Sequence, residues 1–130
     1  VASLVCSARI SADLAIRAMQ GLLASLHHAM HEKRVFLDPE LSLPRLAGEL
    51  GCSVNHLSQA INAGHSMSFF DYINGYRALA AQVIIDNPKN KLTLEEVQYA
   101  ASVESRLVFN QTFKRLTGSR PAAYYKLNRA

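Results

Sequence analysis

Ser42-Leu-Pro-Arg-Leu-Ala-Gly-Glu-Leu-Gly-Cys-Ser-Val-Asn-His-Leu-Ser-Gln-Ala-Ile-Asn62 decides the fold, because it reads as two short helices joined by a very tight turn. Ser42 is a good N-cap, its hydroxyl able to accept from a free N–H of the first turn. Pro44 sits where its missing N–H removes no helical bond. Leu43, Leu46, Ala47 and Leu50 supply a buried face, and Gly51 closes the helix with a residue free to take positive φ. Ser53 then caps a second helix to about Asn62, before Ala63-Gly64-His65 breaks the chain. On it Leu57, Ala60 and Ile61 lock inward. Asn55, Ser58, Gln59 and Asn62 fall at i, i+3, i+4 and i+7 and make one polar stripe without a carboxylate.

Working outward, the arrangement recurs. Thr93 caps Leu94–Ala101, with Leu94 and Val97 inward; Ser102-Val103 makes the turn; Ser105–Leu116 forms the second helix, ended by Thr117-Gly118. Phe109, Phe113 and Leu116 are expected inside, with Arg106, Leu107, Asn110, Gln111 and Lys114 outside. Between the copies, Ser68 caps a longer helix over 69–86, with Phe69, Tyr72, Ile73, Tyr76, Ala80 and Ile84 on one side, and Asn87-Pro88 stops it. At ~1.5 Å per residue its stretch 69–85 is about 25 Å long. A last short helix after Pro121 carries Ala122, Tyr124 and Tyr125. Upstream, Asp13 to Lys33 is amphipathic through Ile16, Met19, Leu22, Leu23, Leu26 and Met30. That stripe must lie on the domain that follows, on a second copy, or on a partner domain. Pro39 disfavours helix at Asp38 and sets a boundary. The expectation is an all-α chain: a coupling segment over 1–35, then over 36–130 a homeodomain-like tandem of two helix-turn-helix units (about 42–63 and 93–117) joined by a linker helix.

A helix-turn-helix lays its second helix in the major groove of duplex DNA while the first crosses the backbone. The amides of Asn55, Gln59 and Asn62 each donate and accept, which suits the adenine N6/N7 edge, and Ser58 shares their stripe. In the second copy Arg106 suits guanine O6/N7, Gln111 and Asn110 lie a turn on, and Leu107 suits a thymine methyl. Lys114, Arg115 and Arg120 are better placed for phosphates, and the helix starts at Ser42 and Thr93 offer N–H groups to the backbone.

Taken in order, Leu43-Pro-Arg-Leu-Ala47, Gly51-Cys-Ser53, His56-Leu57-Ser58, Asp71-Tyr-Ile-Asn-Gly-Tyr-Arg77 and Phe109-Asn-Gln-Thr-Phe113-Lys114, followed by Gly118, Pro121 and Tyr124, resemble the AraC/XylS transcription regulators over Phe36 to Leu127. The resemblance implies a sequence-specific DNA-binding output domain that reads two successive major-groove segments on one DNA face, in a bacterial regulator or activator. It points to Asn55, Ser58, Gln59, Arg106, Leu107 and Gln111 as base contacts, and to Arg77 as structural or touching phosphate. It implies RNA polymerase as a protein partner and a sensor or membrane domain N-terminal to this region; the apolar stripe of residues 13–33, with no partner assigned, is expected to be a coupling or homodimerising element. The sequence departs from the family pattern at Ser102-Val103, where Gly-Phe is usual, at Gln98, where a small residue is usual, and at Gln111, where Arg is common. Losing Gly costs about 1 kcal/mol if that turn position takes positive φ, which makes the second unit the looser one.

Composition agrees with this reading. The 130 residues are 49% apolar, enough for one core, and carry a net charge of +4 that suits a polyanion. Cys6 and Cys52 make neither a disulfide framework nor a zinc site. No apolar run reaches the ~20 residues of a membrane span, and Val1–Cys6 lacks a basic leader, so a cytoplasmic location is expected, with a membrane anchor left open for the full-length protein. The start at Val is expected of a fragment. His27 and His31 stand at i, i+4 with His28 between, a spacing that can hold zinc, but no third ligand follows and solvated histidines are the expectation. No nucleophile elbow or phosphate loop is present, so neither an enzyme nor a cofactor site is expected. The alternatives are a basic helical protein-interaction module with a decayed second unit, and DNA binding without sequence preference.

Overall fold

The computed structural model describes the backbone of residues 2–129 and the side chains of residues 14–128. Seven α-helices follow one another among the described residues, with no strand. They are α1 (Ala2–His28), α2 (Leu43–Leu50), α3 (Val54–His65), α4 (Phe69–Asp86), α5 (Leu94–Ala100), α6 (Arg106–Thr117) and α7 (Pro121–Arg129). α1 continues through a π-helical turn over Ala29–Lys33. A 3-10 turn at Val35–Leu37 leads to Asp38, whose φ of −74° and ψ of 115° are the extended backbone Pro39 demands.

Hydroxyl caps start five of the helices. Ser42 Oγ accepts from the Arg45 N–H at 3.3 Å, and Ser53, Ser68, Thr93 and Ser105 accept from His56, Asp71, Glu96 and Val108 at 3.1 to 3.3 Å. Gly51 at φ 71° ends α2, and Gly118 at φ 82° ends α6. α3 outruns its expected end at Asn62 by a turn. Gly64 lies inside that extra turn, where a Cβ would sit 2.9 Å from Leu23 Cδ2 of α1. The bare glycine lets α1 close down on a helix that continues beneath it.

One continuous core joins both units. Leu26, Met30, Phe36, Leu46, Leu57 and Ile61 fill the first, and Val97, Phe109 and Phe113 the second. Ile73, Ala81 and Ile85 of α4 belong to the same cluster. The division drawn after residue 35 therefore runs through a core: Leu26, Ala29 and Met30 are buried, and α1 packs on both α2 and α3. From Leu22 onward the α1 stripe lies on the domain that follows it. Leu14 and Ile16 are exposed, and the part of the 13–33 segment at Asp13 lies outside the described side chains. Leu116, expected inside, is 46% exposed, because the buried arc at that end of α6 is taken by Thr112 and Phe113.

Arg77 corrects another expectation. It is 4% exposed, so it cannot reach a phosphate. Its Nε donates to the Phe36 carbonyl at 2.8 Å and its Nη2 to the Asp38 carbonyl at 3.0 Å. Burial pulls its guanidinium pKa down, with the charges of Glu104 and Asp38 opposing the shift. It pins the segment that enters α2 onto α4. The Ser102 hydroxyl donates to the Leu37 carbonyl between them, so the turn of the second unit grips the same segment. At the far end, the Tyr124 hydroxyl donates to Asp86 and accepts from Gln82 Nε2 at 3.3 Å, while the Tyr125 hydroxyl donates to the Leu92 carbonyl at 2.7 Å. The Asp86 bond is the main cause of a raised Tyr124 pKa.

Candidate nucleic-acid interface

The first candidate surface is α3, reached from α2 through the Gly51 turn. Its inward residues Leu57, Ala60 and Ile61 are fully buried, which fixes the rotation of the helix. Asn55, Ser58, Gln59 and Asn62 are consequently all exposed. Among the described residues no hydrogen bond or ion pair occupies their side chains, so each amide keeps its donors and acceptors for a ligand. Gln59 faces a hollow between α3 and α1. With His56, Cys52 and Ala60 it forms one wall, and the other wall is Ala15, Ala18, Met19 and Leu22.

The second surface is α6, fixed in rotation by Phe109 and Phe113, with ring centroids 5.6 Å apart, and by Phe113 against Tyr124 at 5.2 Å. Leu107 is 67% exposed, and Arg106 and Gln111 are exposed too. Asn110 departs from the expected pattern. It is half-buried, beside Leu94, Glu95, Gln98, Arg106 and Ala122 in a hollow between α5, α6 and α7. Arg106 is not a free cation either, since its Nη2 lies 3.8 Å from Glu95 Oε1 of α5. Nothing in the residue pattern of α6 alone announces this partner; the signal is Glu95 in the first turn of the preceding helix, α5.

Of the residues expected at phosphates, Lys114, Arg115 and Arg120 are exposed, and among the described residues no ion pair engages them. Ser42 is exposed, with its oxygen accepting from Arg45. Thr93 is a correction: its hydroxyl donates to Glu96 Oε1 at 3.0 Å and its N–H to the same oxygen at 3.5 Å, so a carboxylate already holds both donors. Arg45, which the motif contained without a role, is exposed at the start of α2 beside Asp38 (3.3 Å) and Glu40 (3.8 Å).

His27, His28 and His31 are all exposed, in line with the expectation of solvated side chains, although two of them also touch ring neighbours. His27 and His31 stack with centroids 4.0 Å apart, and His31 Nε2 is 3.1 Å from the Tyr76 hydroxyl. Tyr72 donates to Tyr76 at 3.4 Å and meets the His65 ring at 4.8 Å. Burial, then Tyr76, raises the Tyr72 pKa well above its ordinary value. Among the described residues no group of three or more His, Cys, Asp or Glu is disposed to hold a metal ion, and no helix is long and apolar enough to cross a membrane.

Residues 46–126, more than half the chain, match the sequence profile of a helix-turn-helix domain of the AraC type. Among solved structures, the DNA-binding domain of AdpA, a global transcriptional factor determined in complex with a target DNA, superposes with a TM-score of 0.64 at 19% identity, over 85% of this chain and 92% of that one. The C-terminal domain of AraT, a response regulator from Geobacillus stearothermophilus, gives 0.58 at 22% identity, over 87% and 84%. The C-terminal domain of the response regulator yesN from Fusobacterium nucleatum gives 0.58 at 18% identity, over 88% and 97%. Each is a likeness of fold. A search of curated proteins finds no match.

Proposed function

The chain belongs to the family of AraC-type helix-turn-helix domains and is a DNA-binding domain of a transcription regulator, and from that premise we propose that α3 and α6 are its two reading helices, entering successive major-groove segments of one duplex. The observation that carries this is the pair of exposed, hydrogen-bond-competent faces, each on a helix whose opposite face is locked into a shared core with α4. α4 has 18 residues, so it is ~27 Å long, comparable with the ~34 Å repeat of the groove. In this reading Asn55, Ser58, Gln59 and Asn62 contact bases from the first unit. Arg106, Leu107 and Gln111 contact them from the second, with Asn110 at the edge. Lys114, Arg115, Arg120 and Ser42 hold phosphates.

The family is one of regulators rather than enzymes. RNA polymerase as a partner, a sensor or membrane domain elsewhere in the protein, self-association through the exposed part of α1 and a cytoplasmic location are further parts of the proposal. They rest on the family and on the exposure of Leu14 and Ile16.

Selection of bound sequences from random duplexes tests the reading. A motif of two half-sites about one helical turn apart is expected. Gln59→Ala and Arg106→Ala should each relax preference at one base pair, in different half-sites, by about 1–3 kcal/mol. Uniform weakening across all sequences would instead favour DNA binding without sequence preference, and no salt-sensitive binding to any duplex would favour the protein-interaction module.

A further inference from the structure

We infer that Glu95 is a specificity-determining positioning residue, which holds the Arg106 guanidinium toward a base edge and away from the phosphates. The inference rests on the reading of α6 as a groove helix and names a residue of the neighbouring helix as part of its recognition apparatus. Arginine at the end of a long flexible stem is indiscriminate, because phosphate oxygens attract it at least as well as guanine does, and they are more numerous. A reader at the start of a groove helix must therefore be kept from the backbone. Arg106 is 69% exposed in its side chain, with Glu95 Oε1 the one carboxylate in ion-pair range among the described residues, 3.8 Å from Nη2.

Three features make Glu95 suited to this role. Its helix start is braced: the Thr93 hydroxyl and Glu96 carboxylate bond reciprocally, with Thr93 Oγ1 accepting from the Glu96 N–H at 3.2 Å. The cap thus occupies Glu96 and leaves Glu95 for Arg106. Second, a guanidinium has five donors in a planar fork, so a carboxylate on Nη2 leaves the other edge able to bond guanine O6 and N7. Third, Glu95 shares with Arg106 the rim of the hollow between α5, α6 and α7. A negative charge carried there repels a phosphate that would draw Arg106 aside, and leaves a base edge as the favoured partner.

The role predicts an effect opposite in sign for the two kinds of DNA. Glu95→Gln removes the charge from an exposed side chain, so the variant should keep its fold, checked by thermal melting. Affinity for unrelated duplex should stay level or rise. Discrimination should fall by about two- to fivefold, the scale of an exposed ion pair, at the base pair that Arg106→Ala identifies and nowhere else. In the Arg106→Ala background the Glu95→Gln change should leave every preference as it was. Binding is measured for wild type, the two single variants and the double variant against the selected duplex and its single-base-pair variants. If Arg106→Ala relaxes one position while Glu95→Gln leaves it intact, or if Glu95→Gln acts equally with and without Arg106, the inference fails and the reading of α6 stands. If Arg106→Ala relaxes no position, Arg106 is not a base reader and both fall.

Discussion

Ser102 and Gly51 occupy matching places in the two inter-helix turns and share a left-handed backbone, at φ 59° and 71°. Glycine meets that conformation without strain, whereas serine loses roughly 1 kcal/mol there. Ser102 offsets part of this through its hydroxyl, which donates to the Leu37 carbonyl. The two effects separate by substitution. Ser102→Ala keeps the strain and loses the bond, and should destabilise by about 1 kcal/mol. Ser102→Gly loses the bond and sheds the strain, and should unfold in urea within a few tenths of wild type, about 1 kcal/mol above the alanine variant. Equal midpoints for Ala and Gly would show that the turn is not strained. The departure from Gly was visible in the sequence, and the strain was expected only on the condition of a positive φ, which the backbone meets. The compensation was not visible, because its acceptor lies 65 residues away. Arg77 escaped for the same reason: a cation on a mostly apolar helix face gives no hint that two carbonyls, 41 and 39 residues upstream, await it.

At the level of elements, starts and stops were the legible part. A Ser or Thr before an apolar-periodic run satisfies N–H groups that nothing else in the helix can, so Ser42, Ser53, Ser68 and Thr93 all cap where their spacing indicated, and Ser105, expected as the first helical residue, caps α6 as well. The polar stripe of α3 was legible too, since Leu57, Ala60 and Ile61 leave it one direction in which to face. Periodicity could not say what an apolar stripe packs against. α1 has an apolar stripe long enough for a dimer seam, yet Gly64 admits Leu23, and Leu26 and Met30 close the first unit from above. Truncation separates the two parts of the helix. Leu26→Ala should cost 2–5 kcal/mol, as for a fully buried leucine, and Ile16→Ala, at an exposed position, within ~0.5 kcal/mol. Comparable losses at both sites would mean that the exposed end of α1 is covered as well. Asn110 marks the same limit on α6, where neighbours from α5 and α7 half-cover a position that periodicity placed outside.

For the molecule as a whole, the single core shared across α4 means that α3 and α6, the helices proposed to read DNA, cannot drift independently without breaking packing around Ile73, Ala81 and Ile85. A duplex site of fixed half-site spacing follows from that rigidity, and so does a fixed footprint of cations. Net charge is a poor guide to the footprint. Of the arginines with assigned partners, Arg77 is buried under two carbonyls, Arg45 faces Asp38 and Glu40, and Arg106 faces Glu95. Lys114, Arg115 and Arg120 remain exposed around the end of α6 and the start of α7, without an ion pair among the described residues. Each phosphate neutralised by such a residue adds about 0.9 to the slope of log affinity against log salt. Replacing all three by Ala should therefore flatten that slope by roughly 2 to 3, and weaken selected and unrelated duplexes alike, whereas Arg45→Ala should change it by much less than 1 because two carboxylates already offset that charge. The slopes come from titrating one labelled duplex at several salt concentrations. A triple variant with an unaltered slope would shift the backbone contacts to the first unit, and with them the orientation of α6 in its groove.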